Sequence, residues 1–67
     1  MKHHEIRTML DTLSGQGRWR TGSKVKRTIY DGEYGELIGV MDERGDAAFV
    51  AAAPGIIRQL LDELEAK

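Results

Sequence analysis

The hydrophobic residues near the start of the chain repeat with the period of an α-helix. Within residues 3–14 the apolar side chains are three or four positions apart, at Ile6, Met9, Leu10 and Leu13. This spacing places them on one face of a helix. Gly15 follows, and glycine readily adopts the left-handed conformation that ends many helices. The pattern therefore predicts an amphipathic helix over residues 3–14.

The centre of the chain predicts short strands. Residues 25–31 are the best candidate, because successive side chains there alternate between two unlike faces. Segments 18–21 and 36–41 also favour extended structure, and 36–41 is apolar enough to be mostly buried. Turn-forming residues at 22–23 and 31–35 separate the three segments. We therefore expect two or three antiparallel strands.

The last third of the chain favours helices. A turn over residues 42–45 precedes Asp46, whose carboxylate can cap a helix over residues 46–53. Pro54 disrupts a helix interior but suits the first turn of a helix, so a separate helix is predicted over residues 54–66. The wide apolar face of that helix consists of Ile56, Ile57, Leu60, Leu61 and Leu64.

Together these elements predict an α+β fold. It has an N-terminal helix, a small antiparallel sheet of two or three strands, and two C-terminal helices packed on one face. The length supports a single domain, residues 1–67. So short a chain buries little surface, and it has no cysteine for a disulfide. Since exposed sheet edges can pair with another copy, we expect a homo-oligomer.

Positive charge is concentrated in one segment of a slightly acidic chain. Five of the ten Lys and Arg residues lie within residues 18–27, and no carboxylate interrupts them. Trp19 and Tyr30 accompany this basic segment, although the net charge of the chain is −1. Residues 1–30 carry seven basic and two acidic side chains, whereas residues 31–67 carry three basic and nine acidic ones. The two halves therefore predict two surfaces of opposite charge.

The basic segment predicts binding of an anion. Arginine matches phosphate oxygens in pairs, lysine adds a point charge, and aromatic rings can stack on a base. The backbone N–H groups of the Gly22-Ser23 turn could donate hydrogen bonds to an anion. The candidate ligand-binding residues are Arg18, Trp19, Arg20, Lys24, Lys26, Arg27, Tyr30 and Tyr34. The competing interpretation is a solvated sheet face with Trp19 in the core.

Arg27 poses a sharper question than its neighbours. If residues 25–31 form a strand, Arg27 shares a face with the apolar Val25 and Ile29. A buried cation needs a partner, so Arg27 would contact either a carboxylate or a ligand. Glu36 and Asp46 are the candidate carboxylates, and a salt bridge is slightly favoured.

Neither catalysis nor metal binding is indicated by the sequence. His3 and His4 are adjacent, and neighbouring helical positions do not face each other. The carboxylates at positions 42, 43 and 46 lack the spacing of a calcium loop. We therefore expect a protein that is not an enzyme and has no cofactor. No apolar run approaches the length of a membrane span and no signal peptide is visible, so we expect a cytoplasmic protein without a membrane partner.

The C-terminal stretch DAAFVAAAPGIIRQLLDELE, residues 46–65, resembles the ending of the Ead-like accessory proteins of tailed phages. The matching residues are Ala47, Ala48, Phe49, Val50, Ala51, Ala52, Ala53, Pro54, Leu60, Leu61, Glu63 and Leu64. Position 53 departs from the family, which usually has a polar cap there. The resemblance implies phage or prophage origin and a small accessory protein in the bacterial host cytoplasm. It does not imply an enzymatic activity, because the role of the family is obscure. Residues 17–42 also look like short phage and actinobacterial proteins of unknown role.

By type, the chain is similar to phage proteins that sequester the nucleotide signals of bacterial immunity. That likeness implies an anti-defence sponge that holds an anionic nucleotide in a pocket formed between subunits. The alternative is an accessory protein that binds nucleic acid or a host protein. A pI near 6.1 disfavours nucleic acid, because such domains are usually basic.

Overall fold

The computed structural model describes residues 1–66. The predicted α+β class is confirmed, with a three-stranded antiparallel sheet and helices. A four-residue turn, Ser14–Gly17, separates the first helix from the sheet. The helices and strands are α1 (His3–Asp11), β1 (Trp19–Thr21), β2 (Thr28–Asp31), β3 (Leu37–Val40) and α2 (Arg44–Glu65).

The sheet has the order β1-β2-β3, so β2 is its central strand. Trp19 lies opposite Asp31 and Arg20 lies opposite Tyr30. Because opposed residues of an antiparallel pair project to the same side, these two pairs occupy different faces. A register shift between Ile29 and Tyr30 then brings Leu37 of β3 opposite Tyr30. The sheet thus has an inner face, toward α2, and an outer face that includes Arg20 and Tyr30.

The core lies between α2 and the inner face of the sheet. Ile29 is almost fully buried against Ala47 and Ala51. Alanine at these helical positions, four residues apart, lets the helix axis approach the strands closely. Larger side chains complete the rim of this core, namely Trp19, Ile38, Met41 and Val50. One long helix therefore supplies the core residues that cover the inner face of the sheet.

The prediction of two C-terminal helices is wrong, because α2 continues from Arg44 to Glu65 with Pro54 inside it. Proline removes one helical hydrogen bond. Here it is buried, and a Cβ added at Gly17 would lie 2.7 Å from the Pro54 Cβ. This tight contact with the Ser14–Gly17 turn stabilises the proline inside the helix. The N-cap is Glu43, without a side-chain cap, so Asp46 is a first-turn residue and not the predicted cap.

The predicted strands are longer than the observed ones. Residues 25–27 lie outside β2, because Thr28 donates from both its amide and its hydroxyl to the Val25 carbonyl and closes a turn. The prediction that residues 36–41 are mostly buried is also wrong. Leu37 is 57% exposed and Val40 is 51% exposed, since both lie on the face of the sheet opposite α2.

Ion pairs join α1 to the end of α2. Arg7 donates to Asp62 at 2.8 Å and to both carboxylate oxygens of Glu65. Arg58 contacts Asp11 at 3.4 Å. The hydrogen bonds from Arg7 lower the pKa of Glu65, and those same carboxylates raise the pKa of Arg7. Within residues 1–66, neither helix has the length and apolar character needed to cross a membrane.

Replacing Gly17 with alanine tests the contact between the turn and α2. Gly17 has a φ of 76°, and its added methyl group would meet Pro54. We expect Gly17→Ala to reduce the free energy of unfolding by about 2–4 kcal/mol, from backbone strain and overpacking together. Gly35→Ala is the matched control, because Gly35 has a φ of 74° with no atom near its added methyl group. It should cost about 1 kcal/mol. Equal losses in urea denaturation would exclude a tight Gly17–Pro54 contact.

Titration of Glu65 tests the link between the helices. A carboxyl whose pKa is lower in the folded state stabilises the fold above its unfolded pKa, and that stability is lost as pH falls through the folded pKa. We therefore expect the NMR titration midpoint of Glu65 to lie below its ordinary value and to return there in Arg7→Gln. Arg44→Gln, at the opposite end of α2, should leave it unchanged. A normal midpoint in the unsubstituted protein would argue against the ion pair.

Candidate functional site

An open pocket of about 410 Å³ lies beside the outer face of the sheet. Its wall is supplied by β1, β2, the loop between them and the turn between β2 and β3. Its lining residues are Arg20, Gly22, Ser23, Lys24, Val25, Thr28, Tyr30 and Gly35. The pocket thus combines two cations, one aromatic ring and a hydroxyl-bearing loop.

Strand register brings two members of the pocket together. Arg20 on β1 lies directly opposite Tyr30 on β2. The guanidinium carbon of Arg20 is 5.7 Å from the centre of the Tyr30 ring, within the range of a cation–π interaction. The ring therefore helps to hold the arginine, and within residues 1–66 the guanidinium of Arg20 forms no ion pair with a carboxylate.

The loop that follows β1 is folded tightly onto β2. Gly22 is buried, and a Cβ there would collide with the Thr28 hydroxyl and lie 2.7 Å from the Val25 carbonyl oxygen. The Gly22 amide donates to the Thr28 carbonyl at 3.1 Å. That amide is therefore already engaged, so one of the N–H groups expected from the Gly22-Ser23 turn is not open to an anion. The side chains of Arg20 and Lys24 are the cationic groups at the pocket.

The cations of the basic segment carry charge that no neighbouring carboxylate neutralises. Within residues 1–66, the basic partners of ion pairs under 4.0 Å are His3, Arg7 and Arg58. Arg20 and Lys24 are absent from those pairs and are exposed at the pocket. An exposed, uncompensated pair of cations attracts anions.

Arg27 is not buried, so it does not need the carboxylate or ligand that a buried cation would need. It lies in the loop before β2 and is exposed, so its charge stays hydrated. Neither Glu36 nor Asp46 forms a salt bridge with it in the described chain. Its backbone carbonyl accepts a hydrogen bond from Met41 at 2.8 Å, which attaches the loop to the end of β3.

The eight candidate residues separate into three groups. Arg20, Lys24 and Tyr30 line the pocket. Trp19 lies at the core, where its indole N–H donates to the Ser14 carbonyl at 2.8 Å. The remaining four are exposed at the surface and do not line the pocket, namely Arg18, Lys26, Arg27 and Tyr34.

Several lining residues were not among the candidates. Thr28 could have been found, because strand alternation places it on the same face as Tyr30. Gly35 comes from the turn between β2 and β3, and no local signal in the sequence brings that turn to the β1–β2 loop. Across residues 1–66, no three His, Asp or Glu side chains are grouped closely enough to hold a metal ion.

No protein-family model, curated protein or solved structure matches this chain. Function must be argued from the pocket itself.

Substitution of Trp19 separates a core role from a binding role. Trp19→Phe removes the hydrogen bond to Ser14 and part of the packing, so we expect a loss of about 1–2 kcal/mol in the free energy of unfolding. The adjacent Arg18→Gln changes an exposed side chain and should stay within about 0.5 kcal/mol of the parent. Urea denaturation followed by circular dichroism measures both. An unchanged stability in Trp19→Phe would contradict the core assignment.

Proposed function

We propose that the protein binds a small phosphorylated nucleotide, without turning it over, in the pocket formed by Arg20, Lys24 and Tyr30. One observation carries the proposal: two cations without carboxylate partners lie beside an aromatic ring in a single concavity. Phosphate oxygens satisfy the cations, and a base can contact the ring.

The dimensions and chemistry of the pocket support a ligand of this kind. A volume of about 410 Å³ falls within the usual range of roughly 300–1,000 Å³ for small-molecule sites. Arg20 is held against Tyr30, so little side-chain entropy is lost when its planar fork meets a phosphate. Lys24 lies on the loop and adds a mobile point charge. The hydroxyl oxygen of Thr28, which already donates its hydrogen to Val25, can still accept a hydrogen bond.

One copy of the chain supplies all three side chains. The sequence predicted a pocket completed by a neighbouring subunit, because Lys26, Arg27 and Tyr30 were expected on both faces of one strand. The register places Arg20 and Tyr30 on the same face, and the loop adds Lys24. A neighbouring subunit is therefore not required to bring the essential groups together.

The biological setting of this proposal comes from the resemblance to phage accessory proteins. In that setting, binding without turnover withholds a nucleotide signal from a host receptor in the bacterial cytoplasm. Nucleic acid is the second candidate, since Arg18, Lys26 and Arg27 present further positive charge outside the pocket. An extended polyanion would use all of these cations, whereas a mononucleotide or cyclic dinucleotide would use only those in the pocket.

Calorimetry with matched lysine variants tests the proposal. The probes are cyclic dinucleotides, cyclic ADP-ribose isomers, inorganic phosphate and an oligothymidylate. We expect a nucleotide to bind, and Lys24→Gln to weaken it roughly tenfold, the effect of losing one charge-assisted hydrogen bond. Lys26→Gln makes the same change two residues away, outside the pocket, and should alter affinity less than about twofold.

Two outcomes would overturn this assignment. Equal losses in Lys24→Gln and Lys26→Gln, together with binding of the oligothymidylate, would indicate a nucleic-acid surface. Absence of heat with every nucleotide would exclude the pocket as a nucleotide site. Inorganic phosphate alone distinguishes recognition of the phosphate from recognition of the whole nucleotide.

A further inference from the structure

Helix α2 has a second apolar face that the fold leaves uncovered. The face packed inward includes Ala47, Ala51, Pro54 and Leu61. A second row, spaced seven, four and four residues apart, lies on another side of the helix and consists of Phe49, Ile56, Leu60 and Leu64. The exposed fractions of these four side chains are 69%, 47%, 53% and 54%. Ile57, beside the row, is 38% exposed. A row of large apolar side chains this exposed marks an interaction surface.

The chain exposes more surface than a compact monomer of its mass. The chain exposes 4953 Å², whereas a compact monomer of its 7.5 kDa mass would expose about 4,200 Å². Its radius of gyration is 12.8 Å, against about 11 Å expected for this length. The excess of roughly 700 Å² is close to the 800 Å² that each partner contributes to a standard interface.

We propose that this second face of α2 is the interface of a symmetric dimer, in which the α2 helices of two copies pack antiparallel. A two-fold axis between Ile56 and Ile57 places Ile56 of one copy opposite Ile57 of the other. The same axis pairs Phe49 with Leu64 and Leu60 with Ala53. A surface that pairs with itself about a two-fold axis forms a closed dimer.

Charge selects the antiparallel arrangement. The second half of α2 carries Asp62, Glu63 and Glu65, with Arg58 as its only cation. The first half carries Arg44 and Asp46, which balance. Parallel packing would bring the two acidic ends together, whereas antiparallel packing sets each acidic end beside the neutral half of the partner. It also aligns the two helix dipoles favourably.

The dimer leaves the pocket accessible. α2 packs on the inner face of the sheet, while Arg20 and Tyr30 project from the outer face. Each copy therefore keeps its own pocket, and the two open on the outside of the assembly. The proposed dimer does not depend on the proposed ligand, and either can fail without the other.

Two leucine substitutions test the interface. Leu60 and Leu37 are similarly exposed, at 53% and 57%, but only Leu60 lies on the second face of α2. By analytical ultracentrifugation at micromolar concentration, we expect the parent protein to have twice its 7.5 kDa chain mass. Leu60→Glu should be a monomer and Leu37→Glu should remain a dimer, both with unchanged helical circular dichroism. A monomeric parent, or a dimeric Leu60→Glu, would overturn the proposal.

Cross-linking gives an independent measurement if Leu60→Glu fails to fold. The chain has no native cysteine, so a single introduced thiol can pair only with its copy. Ile56→Cys lies beside the proposed axis and should oxidise to a covalent dimer, whereas Leu37→Cys should remain a monomer on a non-reducing gel. Efficient cross-linking of Leu37→Cys alone would instead place the interface on the sheet and contradict the proposal.

Discussion

Gly17, in the turn that leads into the sheet, contacts Pro54 of α2, the helix that covers the inner face of the sheet. Gly15, Gln16 and Gly17 all have positive φ angles, so the chain reverses direction within one short turn after α1. A side chain at Gly17 would collide with Pro54, and one at Gly15 would collide with the carboxylate of Asp31. The same turn therefore touches α2 on one side and β2 on the other. Glycine permits both approaches because it has no Cβ.

The pocket depends on this turn through the register of β1. Once the turn is fixed, Trp19 enters the core and donates to Ser14, so the next residue, Arg20, must project outward. Asp31 then orders the other border of the pocket. It is 1% exposed, and its carboxylate accepts hydrogen bonds from the amides of Glu33 and Tyr34. These bonds hold the turn that carries Gly35, which closes one side of the concavity.

Local patterns were sufficient for the helical N-terminus, the three extended segments and the general class of the fold. They failed where tertiary contacts outweigh local preference. Pro54 predicted a helix boundary, but burial against Gly17 keeps it inside one helix. Alternation favoured a strand through Val25, but two hydrogen bonds from Thr28 close a turn there instead. For the site, the charge count found Arg20 and Lys24, but only the register shows that Trp19 and Tyr30 lie on opposite faces.

In the fold, the ion pairs show which charged residues of the two halves neutralise each other. The two halves do pair with each other, but through the helices and not through the basic segment: the acidic end of α2 is paired with Arg7, and Arg58 is paired with Asp11. Arg7 and Arg58 both lie on helices, away from the basic segment in sequence. Within residues 1–66, no carboxylate forms an ion pair with Arg20 or Lys24. Since exposed cations gain little from surface ion pairs, the placement of Arg20 and Lys24 at one concavity has no evident value for stability. The proposed binding of an anion accounts for it better than folding does.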